Sequence, residues 1–212
     1  MKYLYYPIIA ILIILFSIEF FDTIVYAVTH LAKYQWMIYG MIAYFIIRRF
    51  RFFSCNEEWL QTTSHELSHT IVGLMFLHKI HSLESRENSG VVYHSGKYGG
   101  IFISLAPYCL PIFTYIILLA RLIGANQMLY IFDILIGFSL AFHILCFWTQ
   151  TRLYQPDIKN QGIIRSLLFI VAFWFFNATI ILLSIRKGFW WALTYIFPQY
   201  WKDIVSFWNF IF

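Results

Sequence analysis

The sequence predicts an all-α membrane protein, a polytopic bundle of about six transmembrane helices with a short hairpin after the third of them. Three observations carry this. The chain is 61% hydrophobic, 22% aromatic and only 12% charged, against roughly 45–50% apolar and about 25% charged residues in soluble domains. Apolar runs of the roughly 20 residues that a spanning helix needs recur along it. The polar residues are gathered into a few short breaks between those runs. With 212 residues, the chain suits one integral-membrane domain over 1–212. The net charge of +5 is modest, its basic residues form no stripe, and no nucleic-acid-binding motif is present. The implied environment is the lipid bilayer.

Spans are expected at 3–28, 34–53, 57–79, 99–123, 127–149 and 163–185. The first is too long for a signal-peptide apolar region and no A-x-A site follows it, so it reads as a retained span. The second ends on the "RRFR" cluster. Basic residues divide almost evenly between the two sides, and that cluster alone leans towards a cytoplasmic N-terminus. After the third, "KIHSLESRENSGVVYHSGK" is polar and rich in β-branched residues around "ENSG", the pattern of a hairpin. The fourth holds Pro107 and Pro111, each of which removes a helix hydrogen bond and frees a carbonyl, giving either a packed kink or a path for water or substrate. "QTRLYQPDIKNQG" is a loop, or a broken helix whose irregular backbone faces protein or water. Asn177 in the sixth span reads as interhelical polar glue. Residues 186–212 carry six Trp and Tyr side chains suited to the headgroup level, as a short extra span or an interfacial helix. Cys55, Cys109 and Cys146 share no short spacing and read as small buried hydrophobes.

One stretch is out of keeping with its surroundings. "TTSHELSHTIVG" places His65, Glu66 and His69 within five residues of an expected helix. Residues four apart share a helix face, so the two imidazoles project side by side, while Glu66 is offset by about 100°. Two neutral imidazoles and an adjacent carboxylate suit zinc hydrolysis, with the carboxylate taking the proton of a bound water. From the chain's own composition an H-E-x-x-H pattern arises by chance in roughly 0.6% of sequences this long, so coincidence is a poor account of it. An unpartnered Glu66 in an apolar span would also cost several kcal/mol.

Such a site needs a third protein ligand. The H-E-x-x-H-x-x-G-x-x-H extension is absent, since Val72 and Met75 stand where its glycine and histidine would be. The only later glutamates, Glu84 and Glu87, lie in the hairpin. Asp133, Asp157, Asp203 and the histidines His78, His81, His94 and His143 remain. Asp157 stands out, because it lies in a polar segment behind Pro156 and close before the sixth span. His143 lies at a depth comparable to His69 and reads either as an alternative ligand or as a group that supports the ligands from behind, whereas His94 reads as an exposed polar residue.

An apolar chain with "HELSH" on an internal helix, a hairpin after it and an aspartate before a later helix resembles the site-2 protease family of intramembrane zinc metalloproteases. The similarity covers roughly 57–165 and is to a minimal, divergent member without a PDZ domain. "PDIKNQG" departs from the family's "LDG"-type motif, and the Asn-Pro pattern upstream of it is missing. The resemblance implies His65, His69 and Asp157 as zinc ligands and Glu66 as catalytic base. The function it implies is a zinc-dependent endopeptidase acting on membrane-anchored protein substrates. The alternatives are a non-proteolytic membrane protein holding a structural or transported metal at the same histidines, and a catalytically inactive relative.

Overall fold

The computed structural model describes residues 2–50, 57–86 and 90–211. Helix α1 runs Lys2–Thr29, α2 Leu31–Arg49 and α3 Glu57–Met75, followed by strands β1 (Lys79–Ser85) and β2 (Gly90–Ser95). Then come α4 (Gly100–Cys109), α5 (Ile112–Arg121), α6 (Leu129–Gln150), α7 (Pro156–Gln161), α8 (Ile163–Lys187) and α9 (Phe189–Ile211). The all-α expectation with one hairpin is met. The strands pair antiparallel from Lys79↔Ser95 to Ser85↔Gly90, with an irregularity between Ile80 and Ser82. The expected turn at Glu87–Ser89 lies outside the described residues, as do 51–53 of the second expected span and Cys55.

Among the described residues three helical stretches are long and apolar enough to cross a membrane: Leu4–Thr29, Asn126–Gln150 and Ile163–Lys187. A fourth span arises if α4 and α5 are counted together. The second and third expected spans are helices too, but their polar content keeps them out of that set. Lys33, Gln35, Arg48 and Arg49 dilute α2, and α3 runs from Glu57 and Glu58 into Thr62, Thr63, Ser64 and His65.

The fourth expected span is two helices bent by 80°. Leu110 is extended at φ −102°, ψ 105°, as a residue before proline prefers, and Pro111 then starts α5. The break frees the carbonyls of Tyr108 and Cys109 in a buried place, and both find a donor on α8. Trp174 Nε1 donates to the Tyr108 carbonyl at 2.9 Å, and Asn177 Nδ2 to that of Cys109 at 3.0 Å. Asn177 Oδ1 also accepts from the Tyr115 hydroxyl. This residue is the polar glue that the sequence suggested, and it ties both halves of the bent pair to α8.

Around that joint packs the largest apolar cluster, in which Ile9 and Phe16 of α1, Leu105 and Tyr108 of α4, Ile158 of α7, Phe169 and Ile180 of α8 and Ile196 of α9 are all buried. On the other flank α2 lies against α6, with Tyr34, Met37, Ile136 and Leu140 in a second cluster. The two backbones touch there. A Cβ on Gly40 would strike the Ile134 carbonyl, and one on Gly137 the Met37 carbonyl, the close approach that small residues allow between membrane helices. Asp133, which has no helix start or proline beside it, is accounted for by Arg121, whose Nε lies 2.9 Å from its Oδ1.

The helix contact between Gly40 and Gly137 generates a test. Gly137→Ala should lower stability by roughly 1–3 kcal/mol through overpacking while leaving metal content intact. Thermal unfolding in detergent, with elemental analysis alongside, measures both.

Candidate metal centre

Three elements bring the site together. On α3, His65 and His69 stand one turn apart, with ring centroids 4.9 Å from each other. The intervening hydroxyl groups fold back onto the helix, Ser68 Oγ donating to the Ser64 carbonyl at 2.8 Å and Thr70 Oγ1 to that of Glu66 at 2.9 Å. The small, self-satisfied residues leave room for the imidazoles and for close neighbours.

Asp157 arrives from the segment between α6 and α8. That segment is not a surface loop. It forms the short helix α7 with Pro156 in its first turn, so Asp157 belongs to a helix of its own rather than to the start of α8. Ile158 is fully buried in the main cluster, and its carbonyl accepts from Ser166 Oγ at 3.0 Å. Gly162 at φ +91° makes the turn into α8, a conformation that side chains with a Cβ avoid. The inward tuck that Asp157 needs to reach the histidines is therefore built from one apolar anchor, one hydroxyl bond and one glycine.

The geometry converges on a single oxygen. Asp157 Oδ2 lies 3.4 Å from His65 Nε2, 3.5 Å from His69 Nε2 and 3.2 Å from the Tyr108 hydroxyl that donates to it. One ligand atom from each of His65, His69 and Asp157 falls within 4.8 Å of the others, and this group could hold a metal ion. Ligands bound tetrahedrally at ~2.0–2.1 Å stand ~3.3 Å apart, close to the two separations seen.

The far sides of the rings strengthen the fit. His69 Nδ1 lies 2.7 Å from the carbonyl oxygen of Ile103, which only accepts, so that nitrogen carries the hydrogen. His65 Nδ1 faces Gln150 Oε1 at 3.3 Å. In the neutral tautomers so selected, both Nε2 lone pairs point at a carboxylate oxygen, an arrangement that repels unless a cation lies between them.

Ile103 is free to serve His69 for a specific reason. Pro107 lies four residues on in α4 and has no N–H, so the Ile103 carbonyl loses its helical donor. The proline weighed as a kink or an opening thus supplies the acceptor that orients a ligand.

Glu66 is buried at 7% exposure and lines the same cavity of about 460 Å³ as the three grouped residues. It is not one of the group, which suits a base rather than a ligand. A Cβ on Gly90 would fall on the Glu66 side chain, so the hairpin backbone rests against that carboxylate. His143 is not in the group either. Its ring is buried and stacks on Trp174 with centroids 5.3 Å apart. Sequence reasoning missed Tyr108, Gln150 and the Ile103 carbonyl. It set His94 aside, and His94 lines the cavity.

Comparison with protein-family models, with curated proteins and with solved structures finds no match to this chain.

Two outcomes are expected from metal analysis. His65→Ala, His69→Ala and Asp157→Ala should each lose bound metal, while His143→Ala retains it. Pro107→Ala restores a helical donor to Ile103 and should weaken metal binding by about 10–100-fold, as changes that reorient a ligand do. A competition titration with a chelator measures that change.

Proposed function

We propose that this chain is a zinc-dependent intramembrane endopeptidase that hydrolyses peptide bonds of membrane-anchored protein substrates. The observation that carries the reading is the convergence of two neutral imidazole nitrogens and one carboxylate oxygen, with the uncommitted carboxylate of Glu66 on the same cavity wall. Two nitrogens and one carboxylate oxygen at tetrahedral spacing suit zinc and leave a fourth position open. Asp157 offsets half of a dication's charge, which matters in a site of low dielectric. The resemblance of "HELSH" and its surroundings to the site-2 protease family points the same way.

When bound there, zinc would act as a Lewis acid towards the scissile carbonyl and would acidify water. The chain's own groups do the rest. Glu66 accepts a proton from the attacking water and passes it to the departing amine. Tyr108 and the Ile103 carbonyl keep Asp157 and His69 aimed. We read α2 and α3 as embedded beside the apolar helices, which gives the six-span bundle and places hydrolysis within the membrane. Proteolysis also needs an extended substrate. Among the described residues β2 pairs only with β1, so its other edge offers main-chain partners to an added strand.

A structural or transported metal at the same histidines is the competing reading. Neither role needs a general base, and an intact Glu66 beside the group favours the enzyme.

The test uses the purified protein and a membrane-anchored reporter. The wild type should hold about one zinc per chain and cleave the reporter. Glu66→Gln should keep the zinc and lose cleavage by several orders of magnitude. Near-normal cleavage by that variant would overturn the proposal.

A further inference from the structure

Two histidines outside the metal group share its cavity, and the hydrogen bonds around them set their tautomers. His78 Nε2 lies 2.6 Å from the Tyr98 carbonyl oxygen. A carbonyl only accepts, so this nitrogen carries the hydrogen and, in the neutral ring, Nδ1 is left as an acceptor. His78 Nδ1 in turn lies 2.8 Å from His94 Nδ1, so His94 is the donor in that bond. The neutral His94 ring then has its hydrogen committed at Nδ1 and a lone pair at Nε2. His78 is buried at 7% exposure, and Gly96 leaves space for its ring, since a Cβ there would overlap the imidazole. The relay is therefore held rigidly behind His94. Burial moves the His94 pKa below its ordinary value, which favours the neutral ring.

The strand decides which way this acceptor is presented. Side chains alternate along β2, so Gly90, Val92 and His94 share one face. All three line the cavity that contains Glu66 and the metal group, and Gly90 rests on Glu66 itself. Four residues of strand put His94 about 13 Å from Gly90. One face of β2 thus carries, in order, the glycine that rests on Glu66, an apolar side chain and a hydrogen-bond acceptor of fixed polarity.

We propose that His94 is a specificity-determining residue, accepting a hydrogen bond from a Ser, Thr, Asn or Gln side chain of an extended substrate, four residues from the substrate residue set against Gly90. The assignment rests on the protease reading above and supplies its substrate class. On a strand added along β2, the residue opposite His94 points into the cavity with it, and the one opposite Val92 meets an apolar neighbour. A side chain without a donor leaves the Nε2 lone pair unmatched once water is expelled, which costs about as much as one buried hydrogen bond.

The test separates binding from cleavage. A single Thr is walked through an otherwise Val- and Ala-containing segment of a membrane-anchored peptide. Retention of each peptide by the Glu66→Gln protein is then read by photo-cross-linking. One register should be retained about tenfold better than its Val counterpart. In Glu66→Gln/His94→Leu the ratio should fall to about one, and in Glu66→Gln/His94→Gln, whose amide oxygen accepts, part of it should return. Unaltered zinc content in both double variants checks that the fold is kept. A flat profile, no retention of any peptide, or a preference that survives His94→Leu would overturn the assignment. Absence of cleavage by the wild type would instead overturn the protease reading, while the retention profile would still report on His94.

Discussion

The bond from His69 to the Ile103 carbonyl is the constraint on which the centre depends. Without Pro107 that carbonyl would be consumed inside α4, and His69 would lose the acceptor that sets its tautomer. The same helix supplies Tyr108, whose hydroxyl reaches Asp157 and whose own carbonyl is taken by Trp174 of α8. A ten-residue helix interrupted by one proline and ended by a second therefore addresses one metal-group histidine, the carboxylate and the scaffold behind them. Backbone irregularity is expensive in apolar surroundings unless every freed group is satisfied. Here the freed groups named are satisfied, the Ile103 carbonyl by His69 of the site and those of Tyr108 and Cys109 by the scaffold helix α8.

The grouped residues are anchored by helices other than their own. His65 leans on Gln150 at the end of α6, His69 on α4, and Asp157 on Tyr108 with Ile158 driven into the core beneath it. The arrangement exists only when α3, α4, α6 and α7 are packed together. This is why the bend between α4 and α5, and the glue at Asn177, matter to a site they do not touch: they fix where Tyr108 and Ile103 stand relative to α8.

The motif on α3 was legible because its information is local. His65, Glu66 and His69 lie within five residues, and helical periodicity alone places them. Asp157 was legible from its setting, a proline-led polar segment near a helix start, although its reach into the bundle was not, since Ile158 resembles any apolar residue in a loop. The tie between Pro107 and His69 was beyond reach for a plainer reason. It spans 34 residues to Ile103 and requires knowing which helix lies beside α3. Counting apolar runs gives six spans, whereas three helical stretches among the described residues meet the length and apolarity of a crossing helix, because such counting treats 99–123 as one straight rod and does not weigh the polar residues of α2 and α3. His94 was set aside because an exposed histidine on a hairpin carries no signal until the cavity beneath the strand is seen.

Four anchoring elements would also couple a bound ion to the fold unevenly. Two lone pairs and a carboxylate facing one another are repulsive when empty, so the ion-free protein stores that cost where the centre is assembled. A ligand present at a thousandfold excess over its dissociation constant stabilises the state that binds it by about 4 kcal/mol. That stabilisation would act on α3, α4 and α7, and on α6 only at its end, where Gln150 meets His65. Helices α2 and α6 are locked instead by backbone contact at Gly40 and Gly137, with α6 also pinned through Asp133 and Arg121, and neither device involves the centre. Removing the ion should therefore loosen α7 first, because it is six residues long and held chiefly by Ile158 and by Asp157 itself, while the contact between α2 and α6 persists. Hydrogen exchange with and without chelator would read this as selective loss of protection over Pro156–Gln161, and uniform loss across α2 and α6 would contradict it.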